Sequence, residues 1–103
     1  MTRPLSPAVQ KLIDAYAREL PARCAALHAA APLDGDRDTL QHYIGEVHKL
    51  AGSSGSYGFR PLSEALRAID RYGNDALAGN VTWDHAEDRR LWEAAFSALS
   101  PLS

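Results

Sequence analysis

The residues with the most chemical promise are a histidine and an aspartate set symmetrically about a turn. His48 lies eleven positions before Phe59, and Asp70 lies eleven after it. Antiparallel helices of equal rise bring residues equidistant from their connecting turn to one level, so the two side chains are placed to meet at the edge of a bundle. A carboxylate that accepts the Nδ1 proton of an imidazole fixes the tautomer and leaves Nε2 with a free lone pair. It also stabilises the positive charge that grows on the ring as Nε2 attacks an electrophile. Such a pair offers nucleophilic chemistry. The competing assignment makes Asp70 a solvent-facing helix charge paired with Arg67 or Arg71, worth roughly 0.3 kcal/mol.

The surroundings of His48 are unusual. Leu40, Ile44, Val47, Ala51 and Ser54 recur at three and four and form one apolar helical stripe. His48 sits on the shoulder of that stripe, about 80° from its centre at about 100° per residue. Its neighbours there are Gln41, Gly45, Gly52 and Gly55, so three of the four are glycine. Glycine in a helix interior costs roughly 1 kcal/mol relative to alanine. Three accounts fit: a Gly/Ser loop in place of helix, a crowded helix crossing, or a face cleared so that a partner's backbone can approach an exposed imidazole.

The elements that must hold this pair follow from composition and punctuation. A chain of 103 residues fits one domain, 1–103, with a modest core. Alanine and leucine outnumber β-branched residues, which favours helix over sheet. A net charge of −2 offers no polybasic face for nucleic acid. Cys24 is the only cysteine, so no intrachain disulfide forms. The N-terminus has no apolar signal core and no run reaches membrane-spanning length; a stand-alone, cytoplasmic, monomeric domain is the expectation.

Ser6-Pro7 starts a helix, with the serine as cap and the proline in the first turn. Pro21 then either kinks it or opens a second helix, so the first segment is part of one helix or a short extra N-terminal helix. Ala31 to Asp36 turns, and Asp36 or Asp34 caps the helix that carries His48 to about Tyr57. Gly58 stops it. Pro61 opens the next, whose stripe is Leu62, Ala65, Leu66, Ile69 and Tyr72, and Gly73-Asn74 ends or loosens it ahead of a loop over 75–81. Thr82 or Asp84 caps the last helix, Glu87 completes a capping-box pattern, and Pro101 ends it. The expected fold is all-α, an antiparallel up-down four-helix bundle.

Other reactive residue types read as structural. Cys24 is a small core residue without a redox partner, and His28 faces a helix dipole or solvent. Trp83 and Trp92 belong to the core and Arg89-Arg90 to a solvated face. No metal is expected: His42 and His48 point to different faces, and His28 and His85 lie on other segments. Ser53 and Ser54 are placed to bond backbone carbonyls one turn earlier.

The run His48-Lys49-Leu50-Ala51-Gly52-Ser53-Ser54, with Gly58 ten after the histidine, resembles the motif of histidine-containing phosphotransfer (HPt) domains, roughly His-x-Leu-Lys-Gly-Ser-Ser and then Gly. It departs at Ala51, where the family commonly has lysine. Lys49 projects about 100° away around the helix, and the lysine's role is not carried over to it. The resemblance implies that His48 takes a phosphoryl group from a receiver-domain aspartyl phosphate and passes it to another receiver aspartate. It implies a glutamate or glutamine near the spacing of Asp70 as hydrogen-bond partner of the histidine. It implies response-regulator receiver domains, and the receiver of a hybrid histidine kinase, as partners. No cofactor belongs to this chain, because Mg²⁺ and a stabilising lysine come from the receiver. The chain then carries phosphate without kinase activity. The expected docking face is Gln41, Gly45, Lys49, Gly52, Gly55 and Ser56, with Leu12, Ala15 and Tyr16 of the first helix. The alternative is a binding module that docks and inhibits a receiver or kinase without being phosphorylated.

Overall fold

The computed structural model describes residues 6–99, which form four helices: α1 (Pro7–Ala30), α2 (Arg37–Ser56), α3 (Arg60–Leu77) and α4 (His85–Leu99). They make an antiparallel bundle in which α2 packs most extensively on α3, α3 on α4, and α1 closes the ring against α4 and α2. Pro101, expected to end the last helix, lies outside the described residues.

The helix starts follow from local chemistry. Ser6 Oγ accepts from the backbone N–H of Val9 at 3.2 Å, and Asp36 accepts from Thr39 N–H at 3.0 Å. These bonds satisfy amides that a first turn otherwise leaves unpaired. Asp84 accepts from Ala86 N–H at 3.0 Å, but the expected capping box is only half made. The N–H of Asp84 goes to the Tyr72 hydroxyl at 2.8 Å, and Glu87 turns instead to Arg90 at 2.6 Å.

Two of the sequence alternatives resolve by burial. No separate N-terminal helix forms: α1 runs unbroken through Pro21. Pro21 is exposed, so the backbone bond it removes is lost on the solvent side of the helix and not in the core. The helix is held instead by Tyr16, Leu20 and Cys24, spaced by four on its inner face. Cys24 is fully buried, and desolvation pushes its thiol up to about 11, which leaves it inert.

Gly73-Asn74 does not end α3, which continues to Leu77. Gly73 is buried where α2 crosses, and a Cβ there would overlap Ile44 Cγ1 and Cδ1. The missing side chain lets Ile44 seat directly on the α3 backbone. Both α2 and α3 end in the same way instead. Gly58 (φ 90°) and Gly79 (φ 82°) take the left-handed conformation. Phe59 N–H then bonds Ser54 C=O at 2.8 Å, and Asn80 N–H bonds Asp75 C=O at 2.9 Å. That is the pattern of a Schellman close.

The core is mostly aliphatic, with Leu20, Val47, Leu62, Leu66, Ile69 and Trp92 fully buried. A polar chain runs through it that sequence reading did not anticipate. Trp92 Nε1–H donates to the Tyr43 hydroxyl at 2.7 Å, and that hydroxyl donates to both oxygens of the fully buried Asp88 at 2.9 Å. Burial is the main cause that pushes the Asp88 carboxyl up to about 6 and the Tyr43 phenol above its ordinary value. Trp83, also buried, donates from Nε1 to Pro32 C=O at 2.9 Å, tying the loop before α4 to the turn after α1. His28 is half-buried, edge-on to Trp92 and Phe96. It packs on these rings from the last turn of α1, the helix end expected of it, and desolvation, then Arg89 and His85, lower its pKa.

Candidate functional site

The turn between α2 and α3 sets the register of the site. Tyr57, Gly58 and Phe59 connect the helices, and the nesting of Ile44 on Gly73 fixes how close they run. At that separation His48 Nδ1 lies 2.9 Å from Asp70 Oδ2. An ionised carboxylate has no proton to give, so the imidazole donates from Nδ1 and Nε2 keeps its lone pair. The burial of the two partners differs sharply: the side chain of His48 is 75 % exposed and that of Asp70 only 15 %. The carboxylate is thus held while the ring projects.

Asp70 pairs with His48 and with neither Arg67 nor Arg71. Its other oxygen, Oδ1, accepts from Asn74 Nδ2 at 3.0 Å, and the same amide donates to Asp70 C=O at 2.9 Å. Asn74 was missed in the sequence because Gly73-Asn74 reads there as a pair that ends or loosens α3. The signal was the spacing of four from Asp70, which places two polar side chains on one helical face. Together these groups form a chain, Asn74 to Asp70 to His48, that orients the ring from behind.

The glycines divide. A Cβ at Gly45 or at Gly52 would meet nothing within 4 Å, so these two leave open space on either side of the ring along α2. Gly55 serves the crossing instead, since a Cβ there would come within 3.0 Å of Ser63 Oγ. The residues expected to dock a partner lie along α2 and border two depressions. Gln41, Gly45, His48 and Asp70 line one depression with Asn74. Gly52, Gly55 and Ser56 line a second with Arg60, Ser63 and Arg67. Lys49 lies in neither and reaches Glu46 at 3.5 Å. On α1, Leu12 is 60 % exposed, but Tyr16 is buried. Its ring stacks on Tyr57 at 4.1 Å and its hydroxyl shares a 2.6 Å hydrogen bond with Ser53. Tyr16 is therefore a core residue and not a docking contact. Ser54 Oγ donates to Ala51 C=O at 3.1 Å and Ser53 Oγ to Leu50 C=O at 3.3 Å, the backbone bonds expected of them.

Among the described residues no group of His, Cys, Asp or Glu side chains is placed to hold a metal ion, and no helix is long and apolar enough to cross a membrane. A family model for the Hpt domain matches residues 11–100. The chain belongs to the Hpt-domain family. Comparison with curated proteins and with solved structures gave no match. An Hpt domain takes part in histidine phosphotransfer relays as a carrier rather than as an independent enzyme, and the family in general interacts with receiver domains of response regulators. In this Hpt domain the motif run lies on α2, with its leucine and second serine buried and its histidine and first glycine exposed. Ala51, where the family commonly has lysine, is buried against the core. A long cation at that position would have to leave the packed interface of α2.

Proposed function

We propose that this Hpt domain is a phosphorelay intermediate whose phosphoacceptor is His48 and whose partners are receiver domains. The observation that carries the reading is the asymmetric pair: a projecting imidazole whose Nδ1 is engaged by a sheltered carboxylate, which leaves the lone pair on Nε2.

The step needs little covalent machinery. The Nε2 lone pair attacks the phosphorus of a receiver's aspartyl phosphate, the N–P bond forms as the P–O bond breaks, and the electron pair leaves on the receiver's carboxylate. The Nδ1 proton stays between the ring and Asp70, whose charge offsets the positive imidazole. In the reverse direction the cationic ring is the leaving group. Catalysis reduces to in-line positioning and charge neutralisation. The Mg²⁺ that phosphoryl transfer needs belongs to the receiver in this reading. Contacts come from the open strip beside His48, formed by Gln41, Gly45 and Gly52, with Lys49, Gly55 and Ser56 at its margins, and the interface is small and exchanges quickly.

The test is incubation with a radiolabelled phosphoreceiver. Label that moves to this chain, is lost in acid and survives base supports the reading. Binding without label across a panel of receivers would replace it with the inhibitory docking role. Asp70→Asn is expected to slow transfer by on the order of tenfold to a hundredfold while the melting curve stays put. The neutral amide accepts a weaker hydrogen bond and no longer offsets the ring's charge. Equal rates in stopped transfer assays would return Asp70 to the solvated surface.

A further inference from the structure

Phosphorylation of His48, on which this inference rests, places a group of nearly two negative charges within one imidazole of the Asp70 carboxylate. Something must offset that repulsion when no receiver is bound. Helix α2 offers no cation beside the ring: Ala51, one turn on, is buried and neutral, Lys49 turns towards Glu46, and Arg37, eleven residues back, donates to Leu77 C=O.

Helix α3 does offer one. Arg67 precedes Asp70 by three and stands one turn along the same shoulder. It is exposed, and no carboxylate lies within ion-pair distance of it among the described residues. Its Nε–H donates to Ser63 Oγ at 3.3 Å, a neutral hydrogen bond readily exchanged for a charge-assisted one. Across from Arg67 on α2 is Gly52, and the two line the same depression. A Cβ at Gly52 would meet nothing within 4 Å, so the α2 surface between Arg67 and the ring is open there; the guanidinium itself lies further along, 3.9 Å from where a Cβ at Gly55 would stand, and swings back past Gly52 to reach the ring. In the register that sets Asp70 level with His48, Arg67 is offset along the helix axis by three residues, about 4.5 Å, which an arginine spans.

We infer that Arg67 binds the phosphoryl group of phospho-His48, crossing the gap at Gly52 and offering two N–H groups to two phosphoryl oxygens. Arginine suits this role because its planar fork matches such oxygens in pairs and never loses its charge. The neighbouring cations do not fit. Arg71 is one residue beyond Asp70 and points about 100° further round, and Arg60 lies ten residues from Asp70, about 15 Å along the axis.

The experiment phosphorylates the isolated protein with phosphoramidate, a small donor that needs no receiver, and titrates the phosphohistidine by ³¹P NMR. Removing a bound cation raises the pH at which a phosphoryl group passes from two negative charges to one. Arg67→Ala is expected to move that midpoint up by about half a unit or more, Arg67→Lys to recover part of it, and Arg71→Ala to leave it in place. Transfer from a phosphoreceiver is expected to slow about tenfold in Arg67→Ala. A purely docking role would slow transfer without moving the ³¹P titration, and that result overturns the inference. So does an Arg67→Ala titration that overlays the wild type; label still on His48 would then leave the proposed function standing. Label that persists in His48→Ala overturns both.

Discussion

His48→Gln is expected to abolish phosphoryl uptake from a labelled receiver, with a loss on the order of a thousandfold or more. Glutamine keeps roughly the length and polarity of the side chain and can still donate to Asp70. It lacks the one thing the reaction uses, an sp² nitrogen with a free lone pair. Because the imidazole is 75 % exposed, the change touches no core contact. The pair it breaks is worth about 0–1 kcal/mol, so thermal unfolding should shift by no more than an exposed substitution does, about 0.5 kcal/mol. Loss of uptake with an unchanged melt separates chemistry from folding. The other histidines do not substitute. His28 is packed against Trp92 and Phe96, and neither His42 nor His85 has a carboxylate at its ring nitrogen within hydrogen-bond or ion-pair distance among the described residues. Uptake that survives His48→Gln would move the phosphoacceptor elsewhere.

The second large effect concerns stability and lies far from that ring. Asp88 is fully buried, and its carboxylate accepts from the Tyr43 hydroxyl. Its pKa rises from 3.8 to about 6, chiefly through desolvation. The native protein therefore holds this proton to higher pH than the unfolded chain does. Between those two values the native state binds more protons, so stability falls as pH rises from about 4 to about 6 and stays at the lower level above that. The difference corresponds to on the order of 3 kcal/mol, a large share of what a domain of this size has.

Two groups act in the opposite sense. The lowered His28 favours the fold as pH rises towards 6.5, and the lowered Asp36, held by its bonds to Thr39, adds stability that is lost below 3.8. The difference between wild type and Asp88→Asn removes both. That variant is expected to lose the downward slope between pH 4 and 6 and to be the more stable protein at pH 8 by about 1–2 kcal/mol. Urea unfolding at a series of pH values measures it. Parallel curves for the two proteins would show that Asp88 keeps the same proton in both states.

What the sequence disclosed was mostly local. Ser6 and Asp36 as caps and Gly58 as a stop depend on residues within one turn, and each stands where the pattern put it. The bundle itself was legible from two apolar stripes, the helix starts and stops, and the short connections. The contact between His48 and Asp70 was reachable because a short turn makes register a matter of counting. The rest depended on partners distant in the chain. A glycine inside a helix reads the same whether it ends the helix or admits a neighbour, and only Ile44, on another helix, decides the case of Gly73. Misreading it hid Asn74. Nothing local distinguishes Asp88 from Glu87 in the first turn of α4; its burial follows from Tyr43 and Trp92 meeting over it. Pro21 left two outcomes open because the answer lay in which side of α1 met water.

The closed turn from Tyr57 to Phe59 carries an evolutionary consequence. One residue added there would rotate α3 by about 100° relative to α2, swinging the aspartate off the imidazole and Gly73 off Ile44 together. No compensating change at a single position restores both. The segment from Gly79 to Thr82 is exposed and leads into a helix that carries none of the proposed chemistry, so its length is free to drift. An alignment of relatives is expected to show insertions and deletions between α3 and α4 and none between α2 and α3; gaps scattered evenly over both connections would mean that selection does not guard the histidine–aspartate register.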